Sequence, residues 1–318
     1  MVDYKYPWGD NFRYNSYANR LRDRFGERIQ KVSVKGAFTC PNRDGTVGYG
    51  GCSFCLGESF VPSYCKRKIG LQDQIDAGIA FQKFRYRHVS KYIGYLQAYS
   101  NTYAGVKELR QVYNEILDHP AIYGLCISTR PDCINEEVLD LLEELSGAYP
   151  IFVELGIESC YDKTLALMNR GHDFSQSVKA VVEVSKRRIP VTAHLIFGLP
   201  GETKDDMLRE VPIISGLPLT SVKFHQLQIF PDAPVYALYK EDPGLFLTFT
   251  LESYCEFIAD ILERLNPSIA VERFAAEAPL LYQVANGWDQ VRAEQVGKKI
   301  ESVMEFRSSC QGIRLKNH

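Results

Sequence analysis

The sequence has no apolar run long enough to cross a membrane and no marked excess of charge of either sign. A membrane-spanning helix needs about 18 consecutive apolar residues, and no stretch of the 318 residues meets that requirement. The opening residues are polar and aromatic and lack the apolar core of a signal peptide. With a formal net charge of -2, overall charge gives no argument for a nucleic-acid partner. We therefore expect a cytoplasmic protein without a membrane partner.

Low-complexity linkers, charge blocks and close repeats are absent as well. Apolar residues make up 45% and charged residues 24% of the chain, which are ordinary values for a globular protein. The length suits one large domain, with or without an appendage. Nine cysteines is an odd number, and a cytosolic chain of this size does not need a disulfide framework. Clustered cysteines that bind a metal or carry out redox chemistry are the better expectation.

What the chain does contain is a regular alternation of short β-rich apolar segments with longer amphipathic ones. We predict strands at residues 29–36, 92–98, 122–129, 151–158, 191–198 and 222–230, and helices at 71–86, 106–117, 135–145, 175–186, 204–214 and 251–265. Six β/α units predict a parallel sheet with helices outside. They are fewer than a complete barrel has, so we expect an α/β fold of the partial (β/α)6 TIM-like barrel type. Residues 1–28 would extend a core at 29–277 on its N-terminal side. Residues 278–318, whose apolar spacing predicts a final helix, would extend it on its C-terminal side.

Polar residues recur where the predicted strands end. They are Gln97, Ser100, Asn101, Thr102, Ser128, Thr129, Arg130, Glu154, Glu158, His194, His225, Gln226 and Gln228. Any one of them could be a paired polar group in the core. Their recurrence at the same end of successive strands favours a functional site there, because barrels of this class carry their chemistry at the C-terminal ends of the strands.

A loop after the first predicted strand carries Cys40, Cys52 and Cys55 with the spacing C-x11-C-x2-C. Four glycines between the first two cysteines let the backbone fold tightly around a bound object. Three thiolates do not complete a tetrahedral zinc site, so zinc would need a fourth ligand, for which Cys65 is nearest. A cubane on three cysteines would leave one iron open to a small chelating molecule. Incidental cysteines are the third interpretation. Beside a basic run at 66–68, Cys65 otherwise reads as a surface thiol.

The segment FTCPNRDGTVGYGGCSFC at residues 38–55 resembles the cluster loop of the radical SAM superfamily, in which an aromatic residue precedes the last cysteine. Its long first spacing is similar to the YhcC-type branch and, more distantly, to the radical SAM domain of the Elongator catalytic subunit. The segments LQAYSNTYA, ISTRPDC, VELGIES, NRGHDF and HLIFGLPGET follow in the order of that branch. The resemblance extends from residue 14 to residue 278 and so covers most of the chain.

The resemblance implies a [4Fe–4S] cluster on Cys40, Cys52 and Cys55, with S-adenosylmethionine bound at the open iron. Reductive cleavage of that cofactor would give a 5′-deoxyadenosyl radical that abstracts hydrogen from a substrate. An electron donor such as flavodoxin or ferredoxin is implied as a partner. No catalytic side chain is implied beyond the cluster and the cofactor.

The resemblance also implies cofactor contacts for eight residues: Phe54, Gln97, Ser100, Asn101, Glu154, Arg170, Ile196 and Gly198. Glu154 would lie near the ribose, whose hydroxyls suit a carboxylate. Arg170 would lie near the methionine carboxylate, which a bidentate guanidinium fits. Phe54 and the backbone of 196–198 would lie against the adenine. Arg170 could instead be a solvated arginine at a helix end, and Phe54 a core residue.

The likeness to the Elongator catalytic subunit suggests modification of the wobble uridine of tRNA, with tRNA as a partner. Three groups of basic residues offer local support: Arg20, Arg22, Arg24 and Arg28; residues 66–68; and Arg85, Arg87 and Lys91. Abundant tyrosine suits stacking on unpaired bases. The alternatives are a small-molecule or peptide substrate, and a zinc-binding module without catalysis. The segment HLIFGLPGET argues against a pure zinc module, which has no use for it.

Overall fold

A computed structural model of the protein describes residues 5–57, 61–66, 69–85, 89–276, 288 and 291–315. Within these ranges seven parallel strands form one sheet in which the order along the sheet is the order along the chain. The strands are β1 Ile29–Val34, β2 Lys91–Leu96, β3 Ile122–Thr129, β4 Ile151–Glu158, β5 Val191–Phe197, β6 Ser221–Gln226 and β7 Ala270–Arg273. This sequential order is that of an open barrel.

Helices connect the strands and cover the outside of the sheet. They are α1 Tyr17–Phe25, α2 Leu71–Arg85, α3 Val106–Leu117, α4 Glu136–Ser146, α5 Asp162–Leu167, α6 Phe174–Lys186, α7 Lys204–Ser215, α8 Val235–Glu241, α9 Leu251–Leu262 and α10 Ala293–Phe306. Local sequence sets several starts: the Asn135 side chain accepts the Val138 N–H at 2.9 Å before α4. Thr203 and Asp206 form a reciprocal capping box at α7. None of the helices in the described ranges is both long and apolar enough to span a bilayer.

The predicted α/β fold with a partial barrel is confirmed. Each of the six predicted strands is present, although most end a residue or more before the predicted limit. The seventh strand was not predicted, because it has only four residues and half of them are charged. The proposed divisions at residues 28 and 277 stay a prediction, and residues 277–287 lie outside the described part of the chain.

Helix α1 closes the N-terminal end of the barrel. Its Tyr17 and Leu21 pack in one apolar cluster with Ile29, Phe152 and Ala270, residues at the beginnings of β1, β4 and β7. Burial of this cluster removes apolar surface from water. The cluster lies at the N-terminal ends of the strands, opposite the C-terminal ends where a functional site is expected. No helix was predicted at these residues, because the apolar positions of α1 are few and arginines separate them.

The barrel interior contains a cluster of polar groups to which every strand contributes one side chain. In chain order these are Lys31, Tyr95, Cys126, Glu154, His194, Lys223 and Glu272, and we call them the interior charge cluster. Glu154 is its centre: its oxygens lie 2.6 Å from Lys31 Nζ and 2.7 Å from Lys223 Nζ. Burial alone would raise the pKa of Glu154, but the Lys223 and Lys31 ammonium groups outweigh it and hold that pKa well below its usual value.

The first and last strands are the two edges of the sheet, and no backbone ladder joins them within the described residues. An ion pair crosses this gap: Lys31 Nζ of β1 lies 2.7 Å from Glu272 Oε1 of β7. We call this contact between the two edges the seam. Both side chains are mostly buried, and a buried charge needs such a partner.

Chain segments from both ends of the protein meet beside β7. The Val271 N–H donates to the Asn15 carbonyl at 2.8 Å, and the Gln311 N–H donates to the Arg13 carbonyl at 2.8 Å. The buried Gln311 side chain accepts from the Asn15 N–H at 2.9 Å and donates to the Ile269 carbonyl at 2.8 Å. One glutamine therefore ties the N-terminal segment, the last strand and the C-terminal segment together.

Candidate active site

A cavity of about 230 Å³ opens at the C-terminal ends of the strands. Its wall contains Cys40, Cys52 and Cys55 from the loop after β1, together with residues at the ends of β2 to β7. Parallel strands present their carboxyl ends at one edge of a sheet. The three cysteines and the polar strand ends that the sequence singled out are thereby brought to one cavity.

Three side-chain donors point at the sulfur of Cys52. Nη1 of Arg170 lies 3.2 Å from this sulfur, Nη1 of Arg130 3.5 Å and Nδ2 of Asn42 3.6 Å. Arg130 is fixed by a bidentate pair with Asp132, with N–O distances of 2.8 and 2.7 Å. Cationic donors around a buried sulfur match a thiolate that ligates iron, because they compensate its negative charge.

The sulfur of Cys55 receives a backbone and a side-chain donor. The Gly57 N–H lies 3.3 Å from it and Nη2 of Arg43 lies 3.6 Å away. Burial and the neighbouring Cys52 raise the pKa of the Cys55 thiol, while the Gly57 N–H and the Arg43 guanidinium lower it. The net shift is upward, so binding of a metal here would release a proton.

The cysteine arrangement fits a cluster better than a single ion. In the described ranges no three His, Cys, Asp or Glu side chains converge closely enough to hold one metal ion. Zinc would require this, because its bonds to sulfur are only about 2.3 Å long. A cubane instead places each thiolate on a different iron. Three cysteines around a cavity, with donors directed at two of the sulfurs, therefore suit a [4Fe–4S] group.

Cys65 is neither a fourth ligand nor a surface thiol. Its side chain is buried and lies 3.4 Å from the Ser33 carbonyl, and it is not part of the cavity wall. The expectation of a surface thiol is therefore wrong: the Cys65 side chain turns inward from its short helical turn against β1. Burial raises its pKa to about 11, so it is a poor nucleophile at neutral pH.

Five of the eight residues predicted to contact the cofactor line the cavity: Phe54, Gln97, Ser100, Arg170 and Ile196. Phe54 also packs on an apolar cluster that includes Leu199 and Phe230. Its two interpretations, a face for adenine and a core residue, are therefore compatible. Cofactor contact by these five stays a prediction.

The other three residues lie outside the cavity wall. Glu154 is fully engaged in the interior charge cluster, beneath the cavity. The Asn101 amide donates to the carbonyls of Leu96 and Ser128, at 3.1 and 2.8 Å. Gly198 has φ of +87°, and a Cβ there would lie 2.7 Å from the Leu247 carbonyl oxygen. Each of these three positions thus makes architectural contacts that the motif alone did not reveal, and cofactor contact by them also stays a prediction.

Arg170 is buried, so the interpretation as a solvated helix-end arginine is wrong. Its guanidinium contacts the Cys52 sulfur and the Gly156 carbonyl, and Nη2 lies 3.5 Å from Glu158 Oε1. Burial opposes its charge, but Cys52 and Glu158 raise its pKa further. Nε of Arg170 is buried and has no hydrogen-bond partner among the described residues. The side chain therefore retains a donor for an anionic ligand.

Arg43 was not predicted from the sequence, and Arg130 and Glu158 were predicted only as polar strand ends without a specific role, although all three line the cavity. Glu158 adopts φ of +69° after a bulge near the end of β4, and such conformations cluster at functional sites. Arg43 and Arg130 stand inside the recognised segments FTCPNRDG and ISTRPDC. Their positions in these motifs could have marked both arginines as candidates. Their contacts with the cysteine sulfurs arise only from the tertiary structure.

The ends of β5, β6 and β7 form a second side of the cavity, with His194, His225, Gln226, Gln228 and Arg273 in its wall. Nε2 of His194 donates to Glu154 at 2.8 Å, and the two histidine rings are 5.3 Å apart. Burial, then the neighbouring His194 and Arg273, hold the pKa of His225 well below its usual value. His225 is therefore neutral, and its buried Nε2 has no partner among the described residues.

Two family models match the chain. The model of the radical SAM superfamily matches residues 40–211, and the model of a radical SAM C-terminal domain matches residues 219–305. The first match begins at the first cysteine of the loop and ends within α7. It therefore includes the residues that surround the sulfur atoms.

Curated proteins show the same relationship. YtqA of Bacillus subtilis is 34% identical over 94% of this chain and 92% of its own length. YhcC of Escherichia coli is 33% identical over 83% of this chain and 84% of its own length. A Methanocaldococcus infernus protein named tRNA uridine(34) acetyltransferase is 26% identical over 66% of this chain and 38% of its own length.

Among solved structures, archaeal Elp3 from Methanocaldococcus infernus with an N-terminal deletion is similar in fold. Its TM-score is 0.64 at 19% identity, and the match covers 89% of this chain and 64% of that chain. This chain thus spans less than two thirds of the solved structure. At this identity the likeness concerns the fold alone, and it agrees with the partial barrel.

Proposed function

Since the chain belongs to the radical SAM superfamily, in its YhcC-type branch, we propose that it is a cytoplasmic enzyme that modifies tRNA at the wobble uridine. The family uses a [4Fe–4S] cluster and S-adenosylmethionine, and these are the cofactors of this chain. The observation that carries the radical chemistry in this proposal is the cavity whose wall contains the three loop cysteines and the polar strand ends.

In this proposal Cys40, Cys52 and Cys55 hold the cluster. When bound, the cluster and S-adenosylmethionine supply one-electron chemistry that removes hydrogen from a substrate. Arg130 and Arg170 stabilise the Cys52 thiolate through contacts of 3.5 and 3.2 Å. Both arginines and Cys52 are buried, which limits the access of water to the Cys52 sulfur.

We assign the methionine carboxylate to Arg170, whose Nε is a free buried donor. Phe54 and Ile196 would offer apolar surface to the adenine, and Gln97 and Ser100 would offer polar contacts to the methionine amino group. All five line the same cavity as the cysteines. A small reductant such as flavodoxin or ferredoxin would deliver the electron.

Similarity to a protein named tRNA uridine(34) acetyltransferase supports tRNA as the substrate. Tyr49, which is 79% exposed, adds support, because it stands on the cysteine loop two residues before Gly51 of the cavity wall. Exposed aromatic rings suit stacking on unpaired bases.

The basic residues identified in the sequence give the tRNA proposal little support. Arg20 donates to the Ser268 carbonyl at 2.9 Å, and Lys91 pairs with Glu27 at 2.8 Å. Arg20 lies on α1 and Lys91 begins β2, so both lie at the end of the barrel away from the cavity. Residues 67, 68 and 87 lie outside the described part of the chain. The expected support from local basic residues is therefore weak, and the tRNA assignment depends on similarity and on the exposed ring of Tyr49.

The cluster assignment is tested by the variant Cys52→Ala. Anaerobic reconstitution of the wild type should give about four irons per chain, as a cubane requires, and the reduced protein should release 5′-deoxyadenosine from S-adenosylmethionine. Cys52→Ala should lose both, whereas Cys310→Ala, which alters a cysteine outside the cavity wall, should keep both. Stoichiometric zinc without iron would instead support the zinc-binding module.

The tRNA assignment is tested by the modified nucleosides of tRNA from cells with and without the gene. We expect a wobble-uridine modification to disappear with the gene and to return with the wild-type protein or Cys310→Ala, but not with Cys52→Ala. An unchanged nucleoside profile, with 5′-deoxyadenosine release intact, would contradict the tRNA assignment. It would favour a small-molecule or peptide substrate for the same cavity.

A further inference from the structure

The last strand directs two consecutive side chains into the barrel. In the pairing of β6 with β7, Val222 faces Val271 and Lys223 faces Arg273, so that Glu272 is an extra residue. Such a bulge re-aims side chains and is frequent beside active sites. Glu272 joins the interior charge cluster, and Arg273 lines the cavity above it.

Among the described residues Arg273 is a surplus positive charge. Inside the barrel two lysines, Lys31 and Lys223, face two carboxylates, Glu154 and Glu272, with every N–O contact between 2.6 and 3.0 Å. These four charges balance. Arg273 forms no hydrogen bond or ion pair with any residue in the described ranges, yet its charge acts on Tyr95 and His225. A half-buried cation without a counter-charge is unfavourable until an anion binds it.

The surroundings of Arg273 favour an anion with hydrogen-bonding oxygens. His225 is neutral and keeps an unpartnered buried Nε2. The amide nitrogens of Gln226 and Gln228 both point at the Ala276 carbonyl, at 3.1 and 3.4 Å, which fixes this wall of the cavity. A guanidinium presents a planar fork of donors that matches phosphate and carboxylate oxygens.

We propose that Arg273 is an oxyanion subsite of the substrate, at which a phosphate or carboxylate group pairs with the guanidinium and contacts His225. The inference rests on the proposed function, because it names a chemical group of the substrate that enters the same cavity. The carboxylate of S-adenosylmethionine is a different anion, since its assigned partner is Arg170 beside Cys52. Arg273 therefore binds the substrate, whereas the cofactor binds on the side of the cavity that contains the cysteines.

The experiment uses anaerobically reconstituted protein with S-adenosylmethionine bound. Uridine 5′-monophosphate, uridine and acetate are titrated at constant ionic strength, and saturable increases of the thermal midpoint give dissociation constants. We expect Arg273→Gln to weaken binding of the monophosphate or of acetate about tenfold or more, the effect of a lost charge-assisted pair. Arg273→Lys should be intermediate, because it keeps the charge without the fork.

The control is Arg20→Gln, which removes an arginine at the other end of the barrel and should leave binding unchanged. Because Arg273 is a half-buried charge without a partner in the described ranges, Arg273→Gln should fold with a thermal midpoint no lower than that of the wild type before titration. Tighter binding of uridine monophosphate than of uridine identifies a nucleotide phosphate, and binding of acetate alone identifies a carboxylate. Absence of saturable binding in the wild type, or equal binding in Arg273→Gln, overturns the subsite. Arg273-dependent acetate binding with an unchanged tRNA profile contradicts only the tRNA assignment.

Discussion

At the scale of single residues, what a side chain already contacts decides its role. The motif around Glu154 suggested a partner for the cofactor ribose, yet the carboxylate is saturated by Lys31, Lys223, His194 and Tyr95. Sequence spacing predicted that Cys40, Cys52 and Cys55 share one site, because all three belong to a single loop. It did not predict the saturation of Glu154, because the partners come from four other strands.

Removal of the Glu154 charge should destabilise the protein strongly. Glu154→Gln leaves two buried lysines with one carboxylate, and breaking a buried pair in this way costs about 3–5 kcal/mol of unfolding free energy. Because the pKa of Glu154 is held below its usual value, the stability it contributes is present at neutral pH. It is lost as the pH falls through that lowered pKa. Urea denaturation at pH 7 measures the difference.

The matched control is Glu144→Gln. Glu144 is exposed and pairs with Arg110 on the surface, with an Nη2–Oε2 distance of 2.7 Å, and such pairs contribute little to stability. If Glu154→Gln unfolds at the same urea concentration as Glu144→Gln, the interior charge cluster does not stabilise the barrel.

At the scale of elements, apolar patterning predicted the six longer strands and the six principal helices, because each buries a continuous face. It missed β7, whose ladder is short and whose inward residues Glu272 and Arg273 are charged. It also missed α1, α5 and α8, which have nine residues or fewer. Short elements are fixed by tertiary contacts, and these are not legible in local sequence.

A buried polar contact joins the segment after β4 to α7 and to the turn before it. The Ser159 hydroxyl lies 2.5 Å from Glu202 Oε1 and 2.9 Å from Glu210 Oε1, and the Cys160 N–H donates to the latter oxygen at 2.6 Å. One hydroxyl proton forms a full hydrogen bond with only one of the two carboxylates, which favours protonation of one carboxyl of this pair. Burial, then the charge of Glu202, raises the pKa of Glu210 to about 8.

Protein stability should therefore fall as pH rises through this range. A carboxyl whose folded pKa is raised contributes stability that is full below its usual pKa of 4.5 and is lost as pH approaches about 8. Glu210→Gln keeps the neutral form at every pH, so the decline between pH 5 and 8 should be smaller in the variant. Thermal midpoints measured across this range test it, with Glu183→Gln as control, because Glu183 is a partly exposed carboxylate whose pKa is lowered by Lys186. Parallel profiles for Glu210→Gln and the wild type would contradict the shared proton.

At the scale of the whole molecule, the two ends of the described chain are joined through Gln311. Its side chain satisfies the Asn15 N–H and two carbonyls, those of Asn266 and Ile269, at 2.8 to 2.9 Å. These contacts bring distant segments against the last strand, which has few ladder contacts of its own. The position of β7, and with it Arg273, thus depends on both ends of the chain.

Gln311→Ala should loosen this end of the barrel. It leaves buried backbone groups without partners, at a cost of about 2–4 kcal/mol. Hydrogen exchange should quicken at the Val271 amide, which donates to Asn15, while amides of β3 and β4 keep their protection. The exposed Gln111→Ala on α3 should change stability by less than about 0.5 kcal/mol. Uniform loss of protection across the sheet would show that Gln311 acts globally instead.

The seam has a consequence for how such a barrel can diversify. A barrel closed by a ladder on every side has a bore set by its strand number and stagger. Here the side chains of Lys31 and Glu272 join the two edges of the sheet. Longer or shorter side chains at these two positions would therefore widen or narrow the barrel, while the hydrogen bonds between neighbouring strands stay intact. The width offered to a substrate can change while the loop that carries the three cysteines stays fixed. The same cluster-binding loop can therefore be combined with substrates of different size.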